Sequence, residues 1–243
     1  MKIAILVYGM YREFDIAVTS WNFLSKFDCE VYFSTWSRSK QKNKKLDIII
    51  DEEVTEKRIL DHIKDANVLI LDDVFSELTN PEKMIFHWKS GLKMIKKSGI
   101  KYDYIMLTRP DNYFDFNFDF ENINSDEDLR EGSVYGLEEI RNNGEELFIQ
   151  DIFFFGKYDL IEKLIDNIPE RLDGNECNGS MHHHLAKHIL LSEIKIKKIP
   201  RTSVVTVRAN SRQLNKEEIS INTIFQKTMD WGNNQDQYHE NNL

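Results

Sequence analysis

The chain has 243 residues, 41% of them hydrophobic and only four of them proline, enough apolar material for one hydrophobic core without division into two domains. Its 41 acidic and 32 basic side chains leave a formal charge of -9, which disfavours sequence-independent binding to a nucleic-acid backbone but permits a local basic pocket. Two cysteines, Cys29 and Cys177, make no disulfide framework and lack zinc-ligand spacing, so free thiols in a reducing compartment are expected.

Ile3 to Val7 predict an apolar first strand, which delivers Tyr8 and then Gly9, a residue that bends at positive φ without steric cost. Arg12 and Glu13 interrupt the run before it reaches the length of a signal-peptide core or a membrane span. A cytoplasmic location follows as an expectation, with transient contact at a membrane surface left open. Phe14, Ala17, Val18, Trp21 and Leu24 recur at helical spacing, and Cys29 to Phe33 predict a second strand. Ser34, Thr35 and Trp36 then stand at its carboxyl end, as pocket or turn residues. The run from Lys40 to Lys45 reads as a solvated loop.

Ile48 to Ile50 predict a small strand, and Val54, Ile59, Leu60 and Ile63 the apolar side of a helix. Val68 to Leu71 form the next strand, ending at Asp72 and Asp73. Pro81 opens a helix with the stripe Met84, Ile85, Trp88, Leu92 and Ile95, and Gly99 ends it. Tyr104 to Leu107 then make a buried strand that exits through Thr108, Arg109, Pro110 and Asp111. A cation and a carboxylate at such a strand end lie where α/β proteins assemble polar ligands.

Beyond this exit Phe114, Phe116, Phe118 and Phe120 alternate as on an edge strand, and Ile152 to Phe155 read as an inner strand closing at Gly156. Leu160, Ile161, Leu164, Ile165 and Ile168 predict one helix, and Met181, Leu185 and Ile189 a shorter one. Ile194, Ile196 and Val204 to Val207 predict late strands. One domain over residues 1–230 with a weakly ordered tail at 231–243 is the expected organisation.

Arg12, Arg109 and Arg208 would hold an anionic ligand if the fold brings them together. Arg12 can instead pair with a nearby carboxylate, and Trp36 can be a core ring instead of a stacking surface. Among His182, His183, His184 and His188, His184 and His188 share a helix face, but no third ligand completes a zinc site; His184 is retained as a candidate contact to sugar, phosphate or solvent. The chain has neither a Walker loop nor a Gly-x-Gly-x-x-Gly fingerprint, which counts against nucleotidyl or phosphoryl transfer.

The segments Gly9-Met-Tyr-Arg12, Phe33-Ser-Thr-Trp36, Thr108-Arg-Pro-Asp111 and Gln150-Asp-Ile-Phe-Phe-Phe-Gly156 resemble, in that order, small glycosyltransferases of bacterial and viral surface-polysaccharide synthesis. The resemblance implies a GT-A-like, Rossmann-related α/β fold with a mixed sheet flanked by helices, and transfer of a sugar from a nucleoside diphosphate, UDP by default, to a glycan or related hydroxyl acceptor. It puts Tyr8, Gly9 and Arg12 near the nucleotide or its phosphates and Ser34, Thr35 and Trp36 along the base or ribose. Such folds commonly hold Mn2+ or Mg2+ on two carboxylates one residue apart. Here Arg109 replaces the first, so Asp111 is the one metal-ligand candidate and Arg109 an alternative neutraliser of the diphosphate. Asp151 is the candidate base for an inverting transfer and Glu176 the reserve, while Arg208 approaches the diphosphate if the late region folds over it. A non-catalytic carbohydrate-binding or scaffold protein with a degenerate transferase fold is the alternative.

Overall fold

Every side chain from Ile3 to Val7 is fully buried, which requires packing on both faces of the strand that carries them. The computed structural model supplies both layers; it describes residues 1–43, 48–72, 78–114, 133–136, 141–142, 147–171, 181–199 and 204–207. The first half runs β1 (Lys2–Tyr8), α1 (Phe14–Ala17), β2 (Asp28–Trp36), β3 (Arg38–Asn43), β4 (Ile48–Glu53), α2 (Glu56–Leu60), β5 (Asn67–Leu71), α3 (Asn80–Lys97), β6 (Tyr104–Thr108) and β7 (Asn112–Phe114). Then follow β8 (Ser133–Gly136), β9 (Arg141–Asn142), β10 (Leu147–Phe148), β11 (Phe153–Lys157), α4 (Tyr158–Asn167), α5 (Met181–Leu191), β12 (Lys195–Lys198) and β13 (Val204–Thr206).

The main sheet has the order β12-β8-β11-β6-β1-β2-β5. β1 pairs parallel with β2 and β6, and β2 with β5, whereas β11 is antiparallel to both β6 and β8. This is the mixed α/β sheet flanked by helices that the sequence led us to expect. From β1 the chain moves outward to β2 and β5, then returns through α3 to β6 on the other side of β1. The strand order therefore reverses between β1 and β6, and in open α/β sheets such a reversal is the place beyond the carboxyl ends where ligands bind.

Alternation along β1 sorts the core into two layers. Ala4, Leu6 and Tyr8 face Ile85, Trp88, Leu92 and Ile95 of α3, while Ile3, Ile5 and Val7 join Tyr11, Phe14, Trp21, Phe33 and Phe114. Close approach of α3 depends on Gly91, where an added Cβ would lie 2.1 Å from Leu6 Cδ1. Thr79 and Glu82 form a reciprocal capping box at the start of α3, with Pro81 in its first turn. After Ser98 the chain turns at Gly99 with φ 68°, as the glycine predicts.

Several elements differ from the sequence expectation. The helical pattern at Phe14 to Leu24 becomes only the short α1 and two 3-10 turns, Val18–Ser20 and Asn22–Ser25, because Phe14, Trp21 and Phe23 pack as an aromatic cluster. β2 continues through Ser34, Thr35 and Trp36, since pairing with both β1 and β5 carries the polar pair through the sheet. The lysine-rich run is strand as far as the described residues extend: in the β3–β4 hairpin Arg38 faces Glu53 and Lys40 faces Asp51, so cross-strand charge pairing replaces solvation as an open loop. Gly156 lies inside β11 instead of closing it. Residues 115–132 and 208–243, with the expected Phe116 to Phe120 edge strand and the tail, lie outside the described residues. Among the described residues no helix is long and apolar enough to cross a membrane.

Candidate functional site

The turn after β1 is shaped by two residues at positive φ. Gly9 has φ 98° and its N–H donates to Ser34 O at 3.0 Å, extending the β1–β2 ladder one step beyond the strand. Arg12 has φ 44°, a conformation costly for a residue with a Cβ, and its N–H donates to Ser39 Oγ at 3.0 Å. The strained backbone turns the Arg12 side chain back toward the end of β6.

There the chain is fastened from several sides. Asn112 Nδ2 donates to Thr108 Oγ1 and to Ile152 O, each at 2.9 Å, so it ties β6 to the start of β11. Trp21 Nε1 donates to Asn112 O at 2.8 Å, and Val207 N–H donates to Asp111 O at 2.7 Å. Asp111 is fully buried. Arg109 grips both of its oxygens, with Nε to Oδ1 at 2.9 Å and one terminal nitrogen to Oδ2 at 2.7 Å, and Arg12 adds a bond to Oδ2 at 3.0 Å. Burial alone would lower the Arg109 pKa, but the charge and hydrogen bonds of Asp111 outweigh it and raise the pKa.

Asp151 occupies the turn just before β11, and pairing of Phe153 with Thr108 brings it to the same end of the sheet. Its carbonyl accepts a hydrogen bond from the Tyr8 hydroxyl. Its carboxylate bears electrostatically on both Tyr8 and Arg109 and lies 3.7 Å from His182 Nδ1. His182 Nδ1 also meets Ile149 O at 2.9 Å. Burial, then the Asp151 charge, push the Tyr8 phenol well above its usual pKa and keep it neutral.

Next to this cluster, Ser34 Oγ and His87 Nδ1 make a buried contact of 2.8 Å. Trp36 is only 7% exposed, its ring 4.3 Å from His87 and stacked on Phe86. It is therefore a packed ring, the second of the two roles open to it. Burial lowers the His87 pKa to about 3, leaving a neutral imidazole. Thr35 Oγ1 and His87 Nε2 are buried without a hydrogen-bond partner among the described residues. Sequence reasoning missed His87, and it named His182 within the histidine cluster but retained His184 instead. The signal for His87 was its position within the apolar stripe of α3, where a polar side chain has to find a buried partner.

The structure thus gathers Tyr8, Gly9, Arg12, Arg109, Asp111 and Asp151 at the β1/β6 reversal. His184 is not among them: it is buried on α5 beside Leu185 and Ala186, and no described contact joins it to the arginines or Asp111. Glu176, Cys177, Arg201 and Arg208 lie outside the described residues. Asp111 does not fit the role of a divalent-metal ligand, because both oxygens already accept guanidinium hydrogens and two cations border it. No group of three metal-ligating side chains occurs among the described residues. A groove of about 400 Å³ along α3, lined by Glu82, Lys89, Lys93 and Arg171 among others, shares no residue with this cluster. The site is assigned to the strand ends because the convergent charged groups are there.

No family model and no curated protein sequence matches the chain. Among solved structures it is similar to a nucleoside-diphosphate-sugar pyrophosphorylase from Vibrio cholerae RC9, at 11% identity and TM-score 0.49, covering 87% of this chain and 98% of that one. It is also similar to residues 1–349 of S. aureus TarS, at 12% identity and TM-score 0.47, covering 85% of this chain and 60% of that one. The glycosyltransferase GlyE of Streptococcus pneumoniae TIGR4 follows at 9% identity and TM-score 0.43, covering 83% of this chain and 45% of that one. These are similarities in the path of the chain, and no residue role is taken from them.

Proposed function

We propose that the protein is a glycosyltransferase that moves a sugar from a nucleoside diphosphate, UDP by default, to the hydroxyl of a glycan or related acceptor. The observation that carries this reading is the meeting of Arg12, Arg109, Asp111 and Asp151 where the strand order reverses between β1 and β6. The reaction needs a cation where the leaving diphosphate gains charge and a base beside the acceptor. Arg12 and Arg109 meet the first need. In an inverting transfer Asp151 meets the second: its carboxylate takes the acceptor proton, the acceptor oxygen bonds to the anomeric carbon, and the bond to the diphosphate oxygen breaks with its electron pair leaving on the nucleotide. Ser34, Thr35 and His87 are fully buried behind this centre and, like the packed Trp36, offer no surface to the base or ribose.

The buried aromatic residues count against a non-catalytic glycan binder. Stacking on sugars requires exposed ring faces, whereas Tyr8, Tyr11, Trp36, Phe153, Phe154 and Phe155 are all buried. The test is a ligand-observed NMR screen against UDP-, GDP-, CMP- and dTDP-sugars, followed by an assay for donor-dependent glycan formation. Selective binding of one donor, with transfer slowed by about two to four orders of magnitude in Asp151→Asn, is the expected result. Absence of binding across the panel by folded protein would return the reading to a binding or structural module.

A further inference from the structure

We propose that the β1/β6 site binds a diphosphate group through Arg12 and Arg109 without a divalent cation, with Asp111 acting as the internal anchor that aims both guanidiniums. This rests on the transferase reading for its physiological ligand, but its physical content is narrower: the strand end is an anion site.

The charges and the geometry point the same way. Among the described residues, two guanidiniums share the one buried carboxylate of Asp111. A divalent ion approaching Asp111 would have to displace at least one charge-assisted hydrogen bond and stand beside two cations. Asp151, the other carboxylate that bears on Arg109, lies 3.7 Å from His182 and not in the Asp111 hydrogen-bond set. A diphosphate needs no oxygen of Asp111 and can take the guanidinium donors that Asp111 leaves unused.

Donors remain for it. A guanidinium carries about five N–H groups in a planar fork suited to phosphate oxygens. Asp111 takes two from Arg109 and one from Arg12, and neither guanidinium makes another hydrogen bond among the described residues. The Arg12 side chain is 30% exposed and that of Arg109 16%, so the pair keeps solvent contact while Asp111 has none. The left-handed backbone at Arg12 and its bond to Ser39 Oγ hold this arrangement before a ligand arrives. Preorganised cations of this kind can take up the charge of a leaving diphosphate in place of a metal.

The experiment is calorimetric titration of the full chain with inorganic pyrophosphate and with UDP, GDP, CMP and dTDP, in EDTA and again with Mn2+ at matched free ligand. Arg12→Met and Arg12→Lys accompany the wild type; both leave the Arg109–Asp111 pair intact and so keep the fold. Pyrophosphate should bind in EDTA, change affinity less than about threefold on adding Mn2+, and weaken about tenfold or more in Arg12→Met, the scale of one lost charge-assisted contact, with Arg12→Lys between. Binding of pyrophosphate and nucleotides only with Mn2+ would overturn the inference and leave the transferase reading standing, and so would unaltered pyrophosphate affinity in Arg12→Met. Metal-free pyrophosphate binding with no nucleotide binding would uphold the anion site and remove the transferase reading. No binding of either ligand under both conditions would sink both.

Discussion

Arg109 and Asp111 stand two positions apart on either side of a proline and still form a two-pronged ion pair, with Nε on Oδ1 and a terminal nitrogen on Oδ2. Pro110 bends the chain so that both side chains project from the same side of the strand exit, and Asp111 is sealed while Arg109 is 16% exposed. A buried carboxylate held this way is a structural anchor as well as part of a site. Breaking one partner leaves an uncompensated charge.

For that reason Asp111→Asn should destabilise the protein by about 3–5 kcal/mol, the usual cost of breaking a buried pair. Urea denaturation monitored by tryptophan fluorescence measures it. A loss below about 1 kcal/mol would mean the arginines find solvent or another partner, contrary to the anchoring role.

Asp151→Asn should lower the rate of sugar transfer by about two to four orders of magnitude, the usual contribution of a general base. Donor affinity should stay within about threefold, because in the proposed reaction Asp151 acts on the acceptor and the arginines on the phosphates. Transfer at the wild-type rate would remove Asp151 as the base.

His87 gives the stability a pH dependence whose sign follows from its burial. Its pKa is lowered to about 3 in the fold, against about 6.5 when unfolded, so between these values the unfolded chain binds the extra proton. The contribution is complete above the unfolded value and is lost as pH falls toward the folded one. His87→Gln should therefore flatten the plot of unfolding free energy against pH in that window by up to about 1.4 kcal/mol per pH unit. Parallel plots for the two proteins would show that the imidazole is not kept neutral.

Gly91→Ala should cost about 1–3 kcal/mol, since the new methyl would meet Leu6 in a core filled on both sides of β1. Thermal unfolding of Gly91→Ala, Leu6→Val and the double substitution tests the cause. Recovery of part of the loss in the double variant is expected, and strictly additive losses would place the damage elsewhere.

Much of the scaffold was legible because the signals were local. The unbroken apolar runs at Ile3–Val7 and Tyr104–Leu107, the stripe from Met84 to Ile95 and the Pro81 and Gly99 stops each specify one element through burial and backbone sterics. The Arg109 and Asp111 strand exit stood out for the same reason, as charge placed directly after buried strand. Where the local signal was polar, neighbours overrode it. Ser34 and Thr35 read as turn residues until β5 paired beyond them, and the lysine run as a loop until β4 supplied the opposing acids.

The sequence by itself determined the alternation of strands and helices, and with it the α/β class, because hydrophobic periodicity and chain punctuation act over a few residues; the mixed sheet was implied only by the family resemblance. It also supplied a cation and a carboxylate at the carboxyl end of a central strand. Only the tertiary structure decided that Arg12, Arg109 and Asp111 form one hydrogen-bonded unit, that His182 and not His184 lies beside Asp151, and that Trp36 is a packed ring. Those outcomes depend on side chains up to 99 positions apart in the chain. Such contacts are settled by distance, burial and charge in three dimensions, none of which is encoded in local spacing.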